Sequence, residues 1–212
     1  MHSKKVEARR VPVAPLAAPA PSAALAGLVP GPISARLETS EGPIHCQLEP
    51  AGAPRAVALF VGLATGRARW LDVHTKAVVS RPMYRDLAFF RAVPGAFVQS
   101  GCPVGNGTGT PGHRIAAEPS PDDARRLAQP GALLMLGYHA PTNRVDPSPP
   151  PPGQIIGSQF VIALGDLSHL AGRVSVLGSC ADLERVREIA KAVSTREHEV
   201  RLERVVIAGI DG

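Results

Sequence analysis

The stretch FFRAVPGAFVQSG, residues 89–101, places one arginine and one glutamine in an otherwise apolar run. Arg91 lies between Phe90 and Ala92, and Gln99 follows an apolar segment eight positions later. Polar groups in such surroundings need hydrogen-bond partners or a cleft. Short strands at 89–92 and 96–99, joined by a Pro-Gly turn, would bring both side chains to one surface. The pattern therefore predicts a charged donor beside an amide on an apolar floor.

Length and composition indicate one domain with a tail. A chain of 212 residues, 44% hydrophobic and 19% charged, can bury one sizeable core. The net charge of +5 arises partly from a basic N-terminal cluster, Lys4, Lys5, Arg9 and Arg10. Basic residues are not interleaved with aromatic ones, and no apolar run approaches the roughly 20 residues of a membrane span. We therefore expect no nucleic-acid partner and no membrane span.

The three cysteines, Cys46, Cys102 and Cys180, are widely spaced, and no two of them form a C-x-x-C pair. This spacing argues against a zinc site, and we expect no metal. Three buried thiols are the favoured interpretation. One disulfide with one free thiol remains open.

Residues 107–112, GTGTPG, match G-x-G-x-x-G literally. A dinucleotide loop must lead into a helix, whereas Pro111 lies inside this motif and no convincing helix follows. We therefore interpret the segment as a glycine-rich surface turn. Neither a P-loop nor a nucleophile elbow is present in the sequence, and we expect no cofactor.

Residues 1–32 are predicted to form a disordered, basic, Ala/Pro-rich tail or linker. Prolines at positions 12, 15, 19 and 21 argue against the apolar helix of a signal peptide. The segment could equally be what remains after an upstream signal or anchor is removed, so the compartment stays open between cytoplasm and periplasm. We expect the domain to span residues 33–212, with a proline-rich loop at 140–153.

Hydrophobic periodicity predicts many short strands and two helices. Alternation beginning at Ile33 indicates a hairpin, and strands are predicted near 132–136, 157–164, 173–177 and 201–210. Apolar residues at helical spacing predict one helix at 54–64, which ends before Gly66, and another at 181–193. This pattern favours a mainly β barrel or sandwich with helices at its margins.

Four segments in order resemble the cyclophilin-type peptidyl-prolyl cis-trans isomerases. They are TSEGPIHCQLEPAGAPRAVALFVGLATG, FFRAVPGAFVQSG, GNGTGTPG and GSQFVIAL. The likeness runs from about residue 33 to 210. It implies a closed eight-stranded antiparallel β-barrel capped by two α-helices.

The resemblance also implies roles for individual residues. The family's catalytic arginine falls on Arg91 and its neighbouring glutamine on Gln99. The positions that contact the peptide and its proline fall on Ala96, Phe97, Gln159, Val161, His169 and Leu170. The implied activity is cofactor-independent isomerisation of Xaa-Pro bonds in unfolded proteins or peptides, assisting protein folding. We expect a monomer.

The proline pocket departs from the family pattern. Ala96 and Val161 stand where the family carries two phenylalanines, and each lost ring removes on the order of 1–3 kcal/mol of apolar contact unless another side chain fills the space. Phe97 or Tyr138 could fill it. The alternative function is therefore a weakly active or inactive peptide-binding module on the same fold.

Overall fold

The computed structural model describes residues 16–137 and 154–210 of the chain. Its α-helices are α1 (Pro21–Ala24), α2 (Pro54–Thr65), α3 (Asp123–Leu127) and α4 (Leu183–Thr195), and a 3-10 helix spans Ser168–Leu170. The first six strands are β1 (Ile33–Thr39), β2 (Ile44–Leu48), β3 (Trp70–Leu71), β4 (Val78–Val79), β5 (Arg85–Ala88) and β6 (Arg91–Val93). The others are β7 (Phe97–Ser100), β8 (Arg114–Ala116), β9 (Ala132–Gly137), β10 (Gln154–Ala163), β11 (Ser175–Cys180) and β12 (Arg201–Ile207).

One ten-stranded antiparallel sheet dominates the fold. Nine strands follow the order β5-β12-β1-β2-β11-β9-β10-β7-β6, and β8 pairs with β10 outside this path. The strands at the two edges, β5 and β6, are separated in the chain only by Phe89 and Phe90. The sheet must therefore curl until its edges meet. Ser100 Oγ supports this closure by donating a 3.0 Å hydrogen bond to the carbonyl of Ala88.

The predicted mainly β class is confirmed, whereas the strand and helix counts differ from eight and two. The segment that crosses from one edge of the sheet to the other forms two strands, β5 and β6. The three-residue strand β8 adds one more. The two predicted helices correspond to α2 and α4. The additional α1 and α3 have four and five residues, too few to show a helical period in the sequence.

The main hydrophobic core fills the interior of the curled sheet. Helix α2 begins with Pro54 in its first turn, ends at the left-handed Gly66, and buries nine of its twelve residues. Its Phe60 ring lies 5.0 Å from the ring centroid of Tyr84 and 5.8 Å from that of Phe160 on β10. These aromatic contacts fix helix α2 against β10.

Residues 16–32 belong to the ordered domain, in contrast to the tail predicted for 1–32. The Leu16 amide donates to the carbonyl of Gly112 at 2.8 Å, and Ala24 is fully buried. Arg67 Nη1 bonds the carbonyl of Ala24 at 3.3 Å and that of Ala26 at 2.6 Å. Small side chains dock closely here without leaving a periodic pattern in the sequence. The proline-rich loop predicted at 140–153 lies outside the described residues.

The cysteines form one disulfide and one free thiol, so the prediction of three thiols is wrong. Cys46 on β2 and Cys180 on β11 are directly paired across neighbouring strands and are bonded, while Cys102 is free and buried. The sequence gives no local signal for this disulfide, because the two bonded cysteines lie 134 residues apart.

Replacing both Cys46 and Cys180 by serine is expected to lower the free energy of unfolding by about 2–5 kcal/mol, because the crosslink restricts a long loop of the unfolded chain. Urea denaturation with and without reductant measures the effect. Reductant should destabilise the wild type and leave the double variant unchanged. Equal stability of wild type and double variant under oxidising conditions would contradict the prediction.

Candidate functional site

The hairpin of β6 and β7 places three side chains of the candidate site on one face. Arg91 pairs directly with Gln99, and Val93 pairs with Phe97. Side chains two positions apart share a strand face, so Arg91, Phe97 and Gln99 lie together. The Arg91 guanidinium carbon lies 5.2 Å from the Phe97 ring centroid, within range of a cation–π contact.

The turn of this hairpin occurs at Pro94 and Gly95, as the sequence predicts. The amide of Ala96 donates to the carbonyl of Val93 at 2.9 Å, and Gly95 has a left-handed φ of 76°. The carbonyl of Ala96 accepts from the Leu164 amide at 2.7 Å, which ties the turn to the end of β10. The backbone at Ala96 is therefore fixed even though its side chain is small.

Strand β10 adds a second amide beside Gln99. Val161 pairs directly with Gln99, and Gln159 lies two residues before Val161 on the same strand face. Gln99 Nε2 donates to Gln159 Oε1 at 3.1 Å. Gln159 Nε2 in turn donates to the carbonyls of Gly107 and Gly109 at 2.9 and 3.0 Å. Two side-chain amides therefore connect the hairpin to the glycine-rich loop, residues 102–109.

Gln99 keeps one unpartnered polar atom. Gln99 is only 6% exposed, and its Oε1 has no hydrogen-bond partner among the described residues. A buried acceptor without a donor is costly unless a ligand or a neighbouring side chain satisfies it. Gln99 Oε1 therefore has an unused acceptor capacity, which a donor that reached it would satisfy.

A second hydrophobic cluster forms an apolar floor on this outer face of the sheet. Val161 belongs to it and is only 2% exposed, while Phe97 and Leu170 pack against it and remain partly exposed. The cluster's buried members are Leu127, Ala132, Leu134, Val161, Ala163, Leu167, Val174 and Val176. The floor is thus filled largely by the protein's own side chains.

The two remaining sequence-predicted positions lie at the margin of this floor. The 3-10 helix carries Leu170 against the second cluster, whereas His169 is exposed. Among the described residues, no hydrogen bond links His169 to Arg91 or to Gln99. Tyr138, the other candidate for filling the pocket, lies outside the described residues.

Sequence reasoning missed Cys102 and Phe90 as supports of the glycine-rich loop. Cys102 Sγ accepts the amides of Gly107 at 3.2 Å and Gly109 at 3.3 Å. Gly107 has a left-handed φ of 86°, and a Cβ there would lie 2.9 Å from the Phe90 ring, so a larger residue would strain the backbone and displace the ring. The available signal was the position of Cys102, three residues before the first glycine of GNGTGTPG.

Two buried ionisable groups have pKa values shifted by burial. Burial raises the pKa of the Tyr84 hydroxyl above its usual range, and this hydroxyl donates to the carbonyl of Ser158 at 3.0 Å, next to Gln159. Burial also lowers the pKa of His113, whose Nε2 bonds the carbonyl of Arg69 at 2.6 Å. The two side chains thereby fix backbone carbonyls on β10 and at Arg69.

The described residues offer no group of three or more His, Cys, Asp or Glu side chains placed to hold a metal ion. Within the same ranges, none of the helices has the length and hydropathy to cross a membrane.

Comparisons with known proteins agree on one family. The family model for cyclophilin type peptidyl-prolyl cis-trans isomerase matches residues 34–211. Peptidyl-prolyl cis-trans isomerase B of Streptomyces anulatus is 31% identical over 80% of this chain and 88% of its own. Peptidyl-prolyl cis-trans isomerase A of Mycobacterium tuberculosis is 32% identical over 84% of this chain and 90% of its own.

Solved structures share the fold at lower identity. A cyclophilin type peptidyl-prolyl cis-trans isomerase of Cryptosporidium parvum is 21% identical, covers 85% of this chain and 99% of its own, and has a TM-score of 0.63. The same protein, solved in the presence of the dipeptide Ala-Pro, covers 82% of this chain and 98% of its own, with 22% identity and a TM-score of 0.61.

Substituting Val161→Phe is expected to lower the free energy of unfolding by about 1–3 kcal/mol, because the added ring must enter a floor that is already filled. Chemical denaturation measures this cost. Ala96→Phe is the matched control, since Ala96 is only partly buried and lies at a turn. A Val161→Phe variant with wild-type stability would show that open space lies above Val161.

Proposed function

Since the chain belongs to the cyclophilin-type peptidyl-prolyl cis-trans isomerase family, we propose that its Arg91 catalyses rotation about Xaa-Pro peptide bonds. The observation that carries this proposal is the placement of the Arg91 guanidinium beside Gln99, above an apolar floor on the outer face of the sheet. The substrates are proline-containing segments of unfolded or loosely ordered proteins, and the reaction assists folding.

The reaction requires stabilisation of a twisted amide and no bond cleavage. Resonance opposes rotation with a barrier of about 18–20 kcal/mol. In the twisted state the lone pair is localised on the prolyl nitrogen, which then accepts a hydrogen bond better than the planar amide does. A guanidinium that donates to this nitrogen stabilises the transition state selectively. The mechanism needs no nucleophile, and no proton leaves the substrate.

The contact with Phe97 suits Arg91 to this task. The guanidinium is planar and carries its donors in a rigid fork, so stacking on the ring limits its orientation without using its N–H groups. Arg91 is exposed, so a bound peptide can reach these donors. Phe97 therefore has two roles in the proposal, as a wall of the proline site and as a support for the arginine.

The hydrogen bonds restrict what each glutamine can do. Gln99 gives its Nε2 to Gln159 and keeps Oε1 free, so we assign it as an acceptor for the guanidinium or a peptide N–H, rather than as a donor to a substrate carbonyl. Both Nε2 donors and the oxygen of Gln159 are engaged within the protein. We therefore assign Gln159 to holding Gln99 and the loop rather than to pairing with the peptide.

Binding of proline depends on the second cluster. Phe97 and Leu170 offer partly exposed apolar surface, while Val161 beneath them is covered. Such a floor presents a shallower surface than one lined by two open phenylalanine rings. We therefore expect weak affinity for short peptides. The acceleration of isomerisation would then come mainly from the Arg91 guanidinium.

Arg91→Ala is expected to lower kcat/KM roughly 10²–10³-fold, the loss found when a preorganised donor to a transition state is removed. Two-dimensional exchange NMR on short Ala-Pro peptides measures the rate. Arg91→Lys is the matched control, and it should recover only part of the activity because the ammonium has no planar fork and stacks poorly on Phe97.

Two outcomes would contradict this function. Turnover by Arg91→Ala equal to that of the wild type would remove the arginine from the mechanism. Absent turnover by the wild type, combined with measurable binding of the same peptides, would favour the alternative of a non-catalytic peptide-binding module.

A further inference from the structure

The glycine-rich loop of residues 102–109 is held from two sides by two side chains. Cys102 Sγ accepts the amides of Gly107 and Gly109 at 3.2 and 3.3 Å. Gln159 Nε2 donates to the carbonyls of the same two glycines at 2.9 and 3.0 Å. Both backbone groups of each glycine are thus satisfied by side chains, and the loop has a defined position relative to β10.

These bonds determine the orientation of both glutamine amides. A backbone carbonyl can only accept, so Gln159 must present its NH₂ group to Gly107 and Gly109. Its oxygen then faces Gln99, which must present its own NH₂ group, as the 3.1 Å bond shows. The oxygen of Gln99 is the atom that remains free, and it is the buried acceptor without a partner among the described residues.

We propose that the loop clamped by Cys102 sets the orientation of the Gln99 amide, and that Cys102 is a positioning residue for the isomerase reaction. If the glycine carbonyls moved away, Gln159 and Gln99 could rotate and present NH₂ where the site now has oxygen. An NH₂ group beside Arg91 would oppose the guanidinium donors rather than accept from them. This inference rests on the proposed function of Arg91 and Gln99.

The burial of Cys102 and its position in the chain allow it to hold the loop. The residue is fully buried and unbonded to another cysteine. Its carbonyl also accepts the Gly105 amide at 2.9 Å, which starts the turn of the loop. A thiol sulfur is a weak acceptor with a large radius, so it can serve two amides at more than 3 Å without drawing the loop inward.

The test uses the full ¹⁵N-labelled chain. In Cys102→Ala, amide hydrogen exchange of Gly107 and Gly109 should accelerate about tenfold or more, and the side-chain NH₂ resonances of Gln99 and Gln159 should shift. The kcat for an Ala-Pro peptide should fall roughly tenfold with KM changed by less than about twofold, because positioning of the reacting groups is lost while the apolar floor is intact.

Three further variants separate positioning from folding. Cys102→Ser should recover most of the exchange protection and kcat, because a hydroxyl oxygen accepts the same amides. Thr108→Ala, which removes an exposed hydroxyl bonded to Asn106 Oδ1 in the same loop, should leave both unchanged. If Cys102→Ala does not fold, Gln159→Glu provides the measurement, because a carboxylate cannot donate to the glycine carbonyls and the Gln99 resonances should shift.

Unchanged amide hydrogen exchange at Gly107 and Gly109 in Cys102→Ala would show that Cys102 does not hold the loop. Unchanged Gln99 resonances, in that variant or in Gln159→Glu, would overturn the link between loop and amide. Altered resonances with wild-type kcat would overturn the positioning role. A wild type without turnover would refute the proposed function and with it that role, while the exchange and resonance measurements would still decide whether the loop orients the amide.

Discussion

The pairing of β7 with β10 is the contact on which both the core and the candidate site depend. Its register sets Phe160 opposite Ser100 and Ile162 opposite Val98 on the inner face, and Val161 opposite Gln99 on the outer face. A slip of β10 by one residue against β7 would turn Phe160 out of the aromatic core, whereas a slip of β7 against β10 would turn Gln99 into it. Burial of the Phe160 ring therefore fixes the register that presents the glutamine.

The outer face of this strand pair combines two competing requirements. Strands β9 and β11, helix α3 and the 3-10 helix all contribute apolar side chains to it, so it forms a second small core. Every side chain that fills this core stabilises the fold and makes the proposed proline site shallower. Val161 is only 2% exposed, so its side chain adds to the packing and offers little surface to a bound proline in the proposed site. Phe97, which packs against this cluster, keeps part of its aromatic surface exposed.

Local chemistry made part of this arrangement predictable from the sequence. Arg91 and Gln99 in an apolar run indicated a shared surface, and a proline followed by glycine indicated the turn between their strands. Helix α2 was predictable because Pro54 and Gly66 mark its ends and its apolar residues follow a helical period. The mainly β class followed from the many short alternating segments.

The remaining features depend on which strands become neighbours, and a single sequence does not contain that information. Cys46 and Cys180 meet only because β2 and β11 are adjacent in the sheet. The hydrogen bonds of Gln159 to the glycine-rich loop join residues about fifty positions apart, and no local pattern indicates them. Residues 16–32 were predicted to be disordered because alanine and proline give no periodic signal, although Ala24 is fully buried and Leu25 and Leu28 pack against the main core.

Closure of the sheet determines the direction in which Arg91 points. Phe89 is 3% exposed, and its amide donates to the carbonyl of Val200 at 2.9 Å, next to β12 at one edge of the sheet. Only Phe90 separates it from Arg91, which begins β6 at the other edge. Ala92 then packs against the main core, so alternation turns Arg91 outward. One extra residue between Phe89 and Ala92 would have to be absorbed as a bulge or would turn the guanidinium toward the core, where it has no partner. The two-residue crossing between the sheet edges is therefore as necessary for an outward-facing arginine as the arginine itself.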